Sequence, residues 1–131
     1  AKLAAEYRDA TVVLDHFARV GTSGPPDDAS VAALCALAKY PNVYVKASAY
    51  YALGLKKVPY ADLVPFFRRV LEAYGAGHVM WGTDAPFQTL APHSYAAAAA
   101  FARDYLGFLF KADHDWMMRK TAEAVFFPPA C

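Results

Sequence analysis

The chain has 131 residues, 57% of them hydrophobic and 15% aromatic, with 13 Lys+Arg against 12 Asp+Glu and a formal net charge of +1. That composition excludes a disordered chain, which needs low hydrophobicity and high net charge, and a nucleic-acid binder, which needs a basic excess to neutralise phosphates. The sequence contains no apolar run of the roughly 18 residues that a membrane-spanning helix requires, so no membrane partner is expected, and the length suits one domain over residues 1–131.

The stretch Ala1–Tyr7 reads as part of a helix already under way, and no signal-peptide pattern occurs. A portion of a longer protein, in the default cytoplasmic compartment, is therefore expected. Thr11–Asp15 is a short β-branched apolar run and predicts a strand. A Gly/Ser/Pro loop over 21–26 follows, and Asp27 or Asp28 can cap the next helix. Val31, Leu34, Cys35 and Ala38 form one helical face, which Pro41 ends. On that face Cys35 reads as a small core residue, and Cys131 as a free thiol.

Asn42–Ser48 predicts a second strand, with Val43, Val45 and Ala47 on one face and Tyr44, Lys46 and Ser48 on the other. A helix over about 60–74 carries the stripe Leu63, Phe67, Val70, Leu71 and Tyr74. Pro65 must lie in its first turn and Gly75 just past its end. His78–Gly82 predicts the third strand. Helices over about 93–106 and 113–126 complete the chain, the latter capped by Asp113 and stopped by Pro128–Pro129. The strands begin 31 and 36 residues apart, which is the period of βαβ units. An α/β fold with a parallel sheet is the consequence.

In such folds ligands bind at the carboxyl ends of the strands. The first strand ends in Asp15–His16, the second in Lys46–Ala47–Ser48 with Tyr50 beyond it, and the third in Gly82–Thr83–Asp84. A His, a Lys/Ser pair and an Asp thus meet on one rim, a set suited to metal-assisted or general acid–base hydrolysis. Each also has a plain alternative. His16 can bond a loop, Asp84 can cap the turn before Pro86, Lys46 can pair with Asp15 or Asp84, and Ser48 can be structural. His78, at the amino end of its strand, His93 and His114 beside helix starts, the Ala96–Ala100 run, and Trp81 and Trp116 all read as structural.

The segments VVLDHFAR (12–19), NVYVKASAYY (42–51), VMWGTDAPF (79–87) and RKTAEAVFF (119–127) resemble the amidohydrolase-related family of TIM-barrel hydrolases, and its lactonase-like members in particular. The resemblance implies the C-terminal portion, about three β/α units, of a (β/α)8 barrel, whose complete form takes roughly 250 residues. It implies a hydrolase of lactones or similar cyclic esters of small carboxylated molecules. By the same resemblance, Asp84 activates water and binds a metal where one is present, and His16 polarises the substrate carbonyl. Arg19 holds a substrate carboxylate, and Lys46, Ser48 and Tyr50 line the pocket. One divalent ion, zinc, is the implied cofactor, with its site incomplete in this chain because no His-x-His pair occurs here. The rival expectations are a metal-dependent decarboxylase of the same fold, and a non-catalytic portion that associates with itself or with a missing N-terminal half through its open sheet edges.

Overall fold

A computed structural model of the chain describes residues 1–128. Three short strands, β1 (Val12–Leu14), β2 (Val43–Ala47) and β3 (Val79–Trp81), pair in parallel in the order β1-β2-β3. The register sets Val12 opposite Val43 and Leu14 opposite Val45, then Val45 opposite Val79 and Ala47 opposite Trp81. Helices α1 (Lys2–Glu6), α2 (Asp28–Cys35), α3 (Val64–Tyr74), α4 (Tyr95–Asp104), α5 (Lys111–Asp115) and α6 (Thr121–Phe126) surround it. The expected β/α alternation is present, and the mixed helix and parallel-sheet architecture follows from its period. Cys131, and the Pro129 half of the expected stop, lie outside the described residues.

The alternation of β2 sorts its two faces. Val43, Val45 and Ala47 are buried against the helices, with Val79 of β3 beside them, while Tyr44 and Lys46 are half-buried on the opposite face with Val13. The core on the helical side is dominated by aromatic rings: Phe17, Tyr50, Tyr60, Phe67 and Phe101 are all at most 1% exposed. Neighbouring pairs among them pack tilted or edge-on with centroids 4.8–6.1 Å apart, the arrangement ring quadrupoles prefer.

Local signals place most helix ends. Asp27 caps α2 by accepting the Ser30 backbone N–H at 2.9 Å. Pro65 sits in the first turn of α3, where its missing N–H costs nothing. Gly75, with φ +71°, ends that helix and donates to the Leu71 carbonyl. Ser94 caps α4 through the Ala97 N–H.

Three expectations are corrected. The last helix is not one unit capped by Asp113: it starts at Lys111, with Phe110 at the cap position, and it widens into a π-turn over Trp116–Lys120 before α6. The π-turn holds one fully buried side chain, Met117, and is followed directly by another, Thr121, which donates to the Ala76 carbonyl at 2.9 Å. Trp116 is not a packing anchor, since it is 41% exposed. The stripe of α2 ends at Cys35, which is only partly buried, and Ala38 falls in a separate tight turn over Ala36–Lys39. His78 does have a structural place, stacked on Tyr44 at 4.8 Å with Nε2 3.2 Å from the Pro41 carbonyl oxygen.

Candidate active site

The carboxyl ends of the three strands form one rim. The chain leaves β1 in an unusual way: His16, Phe17, Ala18 and Arg19 all have φ between +52° and +61°. A left-handed turn of non-glycine residues costs roughly 1–2 kcal/mol per residue, and such strain persists only where the surroundings over-determine it. Here Phe17 supplies that constraint. It is fully buried, with its ring 4.8 Å from both Phe66 and Phe67. With Phe17 driven into the core, its neighbour His16 is turned onto the rim.

His16 is fixed from behind. Its Nδ1 lies 2.8 Å from the Ser48 hydroxyl, and Ser48 is fully buried at the end of β2. When that hydroxyl donates to Nδ1, the proton of the neutral ring sits on Nε2. Nε2 is 3.8 Å from Asp84 Oδ1, too far for a direct hydrogen bond. The two side chains are 15% and 20% exposed, so both are shielded yet reachable. Asp84 itself sits just after β3 with φ +57°. Its second oxygen, Oδ2, accepts the Tyr51 hydroxyl at 2.9 Å.

The pairing register explains Lys46. One step beyond Leu14–Val45 brings Asp15 beside Lys46, and their Nζ and Oδ1 are 2.5 Å apart. That bond holds the Asp15 carboxyl below its ordinary range, against the opposing effect of its partial burial. Gly82 packs beside both side chains: a Cβ there would stand 3.4 Å from the Lys46 side chain and 3.5 Å from Ser48 Cβ, ordinary contact distances.

A buried polar chain leads away from Asp84. Gln88, fully buried, accepts the Tyr51 backbone N–H through Oε1 at 3.3 Å and donates through Nε2 to the Tyr60 hydroxyl at 2.8 Å. Tyr60 Oη in turn lies 2.9 Å from His93 Nδ1. Burial raises the Tyr51 phenol above its usual value, the hydrogen bond to Asp84 and its charge raise it further, and the Arg19 guanidinium opposes them. Arg19 is therefore within electrostatic reach of the site, on an exposed side chain. Phe87 stacks on Tyr51 with centroids 6.3 Å apart and is 56% exposed, giving the rim an accessible aromatic edge.

Of the residues singled out from the sequence, the fold brings His16, Ser48 and Asp84 together and sets Arg19 nearby. Lys46 is engaged with Asp15. Two pocket assignments are corrected. Ser48 cannot line a pocket, being fully buried, and instead orients His16. Tyr50 cannot either: it is 1% exposed, its hydroxyl donates to the Ala47 carbonyl, and burial pushes its phenol far upward. The residue at Asp84 is Tyr51. Strict strand alternation would put Tyr50 on the face of Lys46 and Ser48, but Ala49 adopts a left-handed conformation, φ +61°, and breaks that phase. Nothing in the sequence marks an alanine for that role. Gln88 was missed likewise. His93 flanks α4, as expected, but its bond to Tyr60 depends on a contact between residues 33 positions apart.

The amidohydrolase family model matches residues 1–127. Over 93 residues the chain is 33% identical to an L-fucono-1,5-lactonase of Burkholderia ambifaria, a match covering 69% of this chain and 31% of that protein. Over 92 residues it is 34% identical to a 2-pyrone-4,6-dicarboxylate hydrolase of Comamonas testosteroni, covering 63% of this chain and 30% of the relative. Among solved structures, a candidate 2-pyrone-4,6-dicarboxylic acid hydrolase from Pseudomonas putida aligns with a TM-score of 0.76 at 24% identity, over 99% of this chain and 50% of that one. An amidohydrolase from Burkholderia multivorans with bound zinc aligns with a TM-score of 0.72 at 24% identity, over 93% and 45%. These two likenesses concern the fold alone. The chain spans about half of the solved chains, and its matches span about a third of the curated relatives.

A catalytic zinc takes three protein ligands and a water. Among the described residues no group of three His, Cys, Asp or Glu side chains is arranged to hold an ion. Among the described residues at the rim, His16 and Asp84 face each other with one atom of each already bonded, Nδ1 to Ser48 and Oδ2 to Tyr51, and the Asp15 carboxylate is paired with Lys46. The described residues alone do not fit the metal expected at Asp84.

Proposed function

The chain belongs to the amidohydrolase family, and on that basis we propose that it carries the Asp84–His16 part of the active site of a hydrolase that opens a lactone, or a similar cyclic ester, of a small carboxylated molecule. The observation that supports this reading is the pairing at the rim. A carboxylate oxygen and an imidazole nitrogen stand 3.8 Å apart without bonding each other, each held from its far side by a hydroxyl.

In this reading His16 Nε2–H donates to the lactone carbonyl oxygen and stabilises the negative charge that develops there. Asp84 Oδ1 removes a proton from the attacking water. The water oxygen bonds the carbonyl carbon. As the tetrahedral intermediate collapses the ring C–O bond breaks, and the proton held by Asp84 passes to the departing alkoxide. Arg19 pairs with the substrate carboxylate, its fork geometry suited to two parallel bonds. Lys46 stays with Asp15.

The three β/α units are proposed as the C-terminal portion of a (β/α)8 barrel, one domain through residues 1–131. The half-buried face of Val13, Tyr44 and Lys46 supports this, because parallel sheets are ordinarily covered on both faces. The partner proposed for that face and for the two edge strands is an N-terminal half of the barrel, or, in its absence, another copy of this chain.

Replacing Asp84 with Asn keeps the shape and removes the base. In the intact protein, lactone turnover is expected to fall by about 100-fold or more with the melting temperature retained. Unchanged turnover would sink the assignment of Asp84. Carbon dioxide release from carboxylated substrates, without ring opening, would replace the lactonase reading with the decarboxylase.

A further inference from the structure

Asp84 is the group on which the proposed reaction turns, yet its own backbone does not settle where its two oxygens point. A carboxylate on a short loop rotates freely about its last torsion unless something holds it. The structure holds it from one side only, through Tyr51. Tyr51 in turn sits in the tight 3-10 turn Tyr50–Ala52, which the chain enters through the left-handed Ala49. What ties that turn to the loop after β3, besides the Asp84 bond itself, is Gln88. Both ends of its amide are bonded, to the Tyr51 N–H and to the Tyr60 hydroxyl, inside a fully dry position.

A buried glutamine is costly unless satisfied, and an apolar side chain would fill the same space. Gln88 also sits on the Asp84 loop itself: its backbone N–H donates to the Asp84 carbonyl at 3.2 Å. The loop after β3 is thus tied to Tyr51 twice, by Asp84 Oδ2 to the hydroxyl and by Gln88 Oε1 to the backbone.

We propose that Tyr51 and Gln88 are positioning residues that act as a brace, fixing Oδ2 of Asp84 so that Oδ1 faces His16 and the attacking water. This inference deepens the hydrolase reading and rests on it. The brace acts on orientation, so it affects the rate of the chemical step and leaves substrate binding by Arg19 alone.

Two measurements on the intact protein test it, one of them independent of turnover. In proton NMR the Tyr51 hydroxyl, bonded to a shielded carboxylate, is expected as a slowly exchanging downfield signal. It should vanish in both Tyr51→Phe and Asp84→Ala, which removes the acceptor, and should shift in Gln88→Met, which keeps the volume but not the amide. Absence of the signal, or its survival in Asp84→Ala, overturns the brace whatever the enzyme does. In the kinetic arm, Tyr51→Phe should lower kcat by about ten- to a hundredfold, the cost of a misplaced catalytic group, with KM within about twofold. Gln88→Met should lower kcat in the same direction, and Gln88→Glu, which keeps the Oε1 acceptor, should recover part of the loss. If Asp84→Asn abolishes turnover while Tyr51→Phe leaves kcat untouched, the brace is overturned and the hydrolase reading stands. If Asp84→Asn leaves turnover untouched, it is the hydrolase reading that falls. Should Gln88→Met fail to fold, Tyr51→Phe, which removes only a hydroxyl, carries the test alone.

Discussion

Among single residues, the two groups of the proposed pair on the rim are each held by a neutral hydroxyl. Ser48 meets His16 Nδ1 at 2.8 Å and Tyr51 meets Asp84 Oδ2 at 2.9 Å. A hydroxyl orients a ring or a carboxylate without adding a competing charge. The permanent charges stand further out, Lys46 paired with Asp15 and Arg19 on an exposed side chain. Ser48→Ala removes the bond behind His16 in a position with no water access, so Nδ1 loses its partner and the ring its fixed tautomer. On the proposed lactonase reading, kcat of the intact protein is expected to fall about tenfold with a small change in KM, read from steady-state kinetics. An unchanged kcat would mean that His16 is held by its backbone turn alone. The sequence shows His16, Ser48 and Asp84 as residues at strand ends, and that much follows from strand phase. It does not distinguish Tyr50 from Tyr51, because the choice depends on the conformation of Ala49.

At the scale of elements, two contacts carry much of the fold. Phe17 anchors the strained turn after β1 in the ring cluster of α3. Phe17→Ala both opens a cavity, at about 3–5 kcal/mol for a buried aromatic, and releases the constraint that keeps four residues left-handed. Denaturant unfolding is expected to show that loss in the midpoint with little change in slope. A loss below about 1 kcal/mol would show that Phe17 does not hold the turn. The second contact joins α2 to α3. The Tyr74 hydroxyl donates to the Leu34 carbonyl at 2.8 Å, and burial, aided by the neighbouring Cys35, pushes its phenol from 10 up to about 12. The neutral form is therefore the one that the fold favours. Its contribution to stability is complete below pH 10 and is lost as pH rises from 10 to 12. Tyr74→Phe should flatten part of the alkaline fall in melting temperature over that window, while lowering stability at neutral pH. A Tyr74→Phe curve parallel to that of the wild type would remove Tyr74 from the account. The start of α2 and the limits of α3 were legible from Asp27, Pro65 and Gly75, since caps and breakers act locally. The π-turn of 116–120 was not, because the burial of Met117 within it and of Thr121 just after it is a tertiary demand.

At the scale of the whole molecule, a parallel sheet with one face packed and the other half-buried is an unusual object to leave in water. Its two edge strands are equally open to pairing. If that face is covered by an N-terminal barrel half in the intact protein, the 14.3 kDa chain on its own should associate. Light scattering is expected to give a multiple of the chain mass that shifts with concentration. A compact, monodisperse monomer with protected sheet amides would overturn that expectation. Among the described residues no helix is long and apolar enough to cross a membrane.

The β/α alternation, the three strands and the strand-end placement of His16 and Asp84 are written in the order of the residues. All of these depend on periodicity and turn chemistry within a few residues. Which tyrosine reaches Asp84, that Lys46 pairs with Asp15, and that Gln88 ties two loops together emerge from the folded chain. Those outcomes depend on strand register, on one left-handed alanine and on desolvation among residues more than thirty positions apart. None of these is a property of a local stretch of chain.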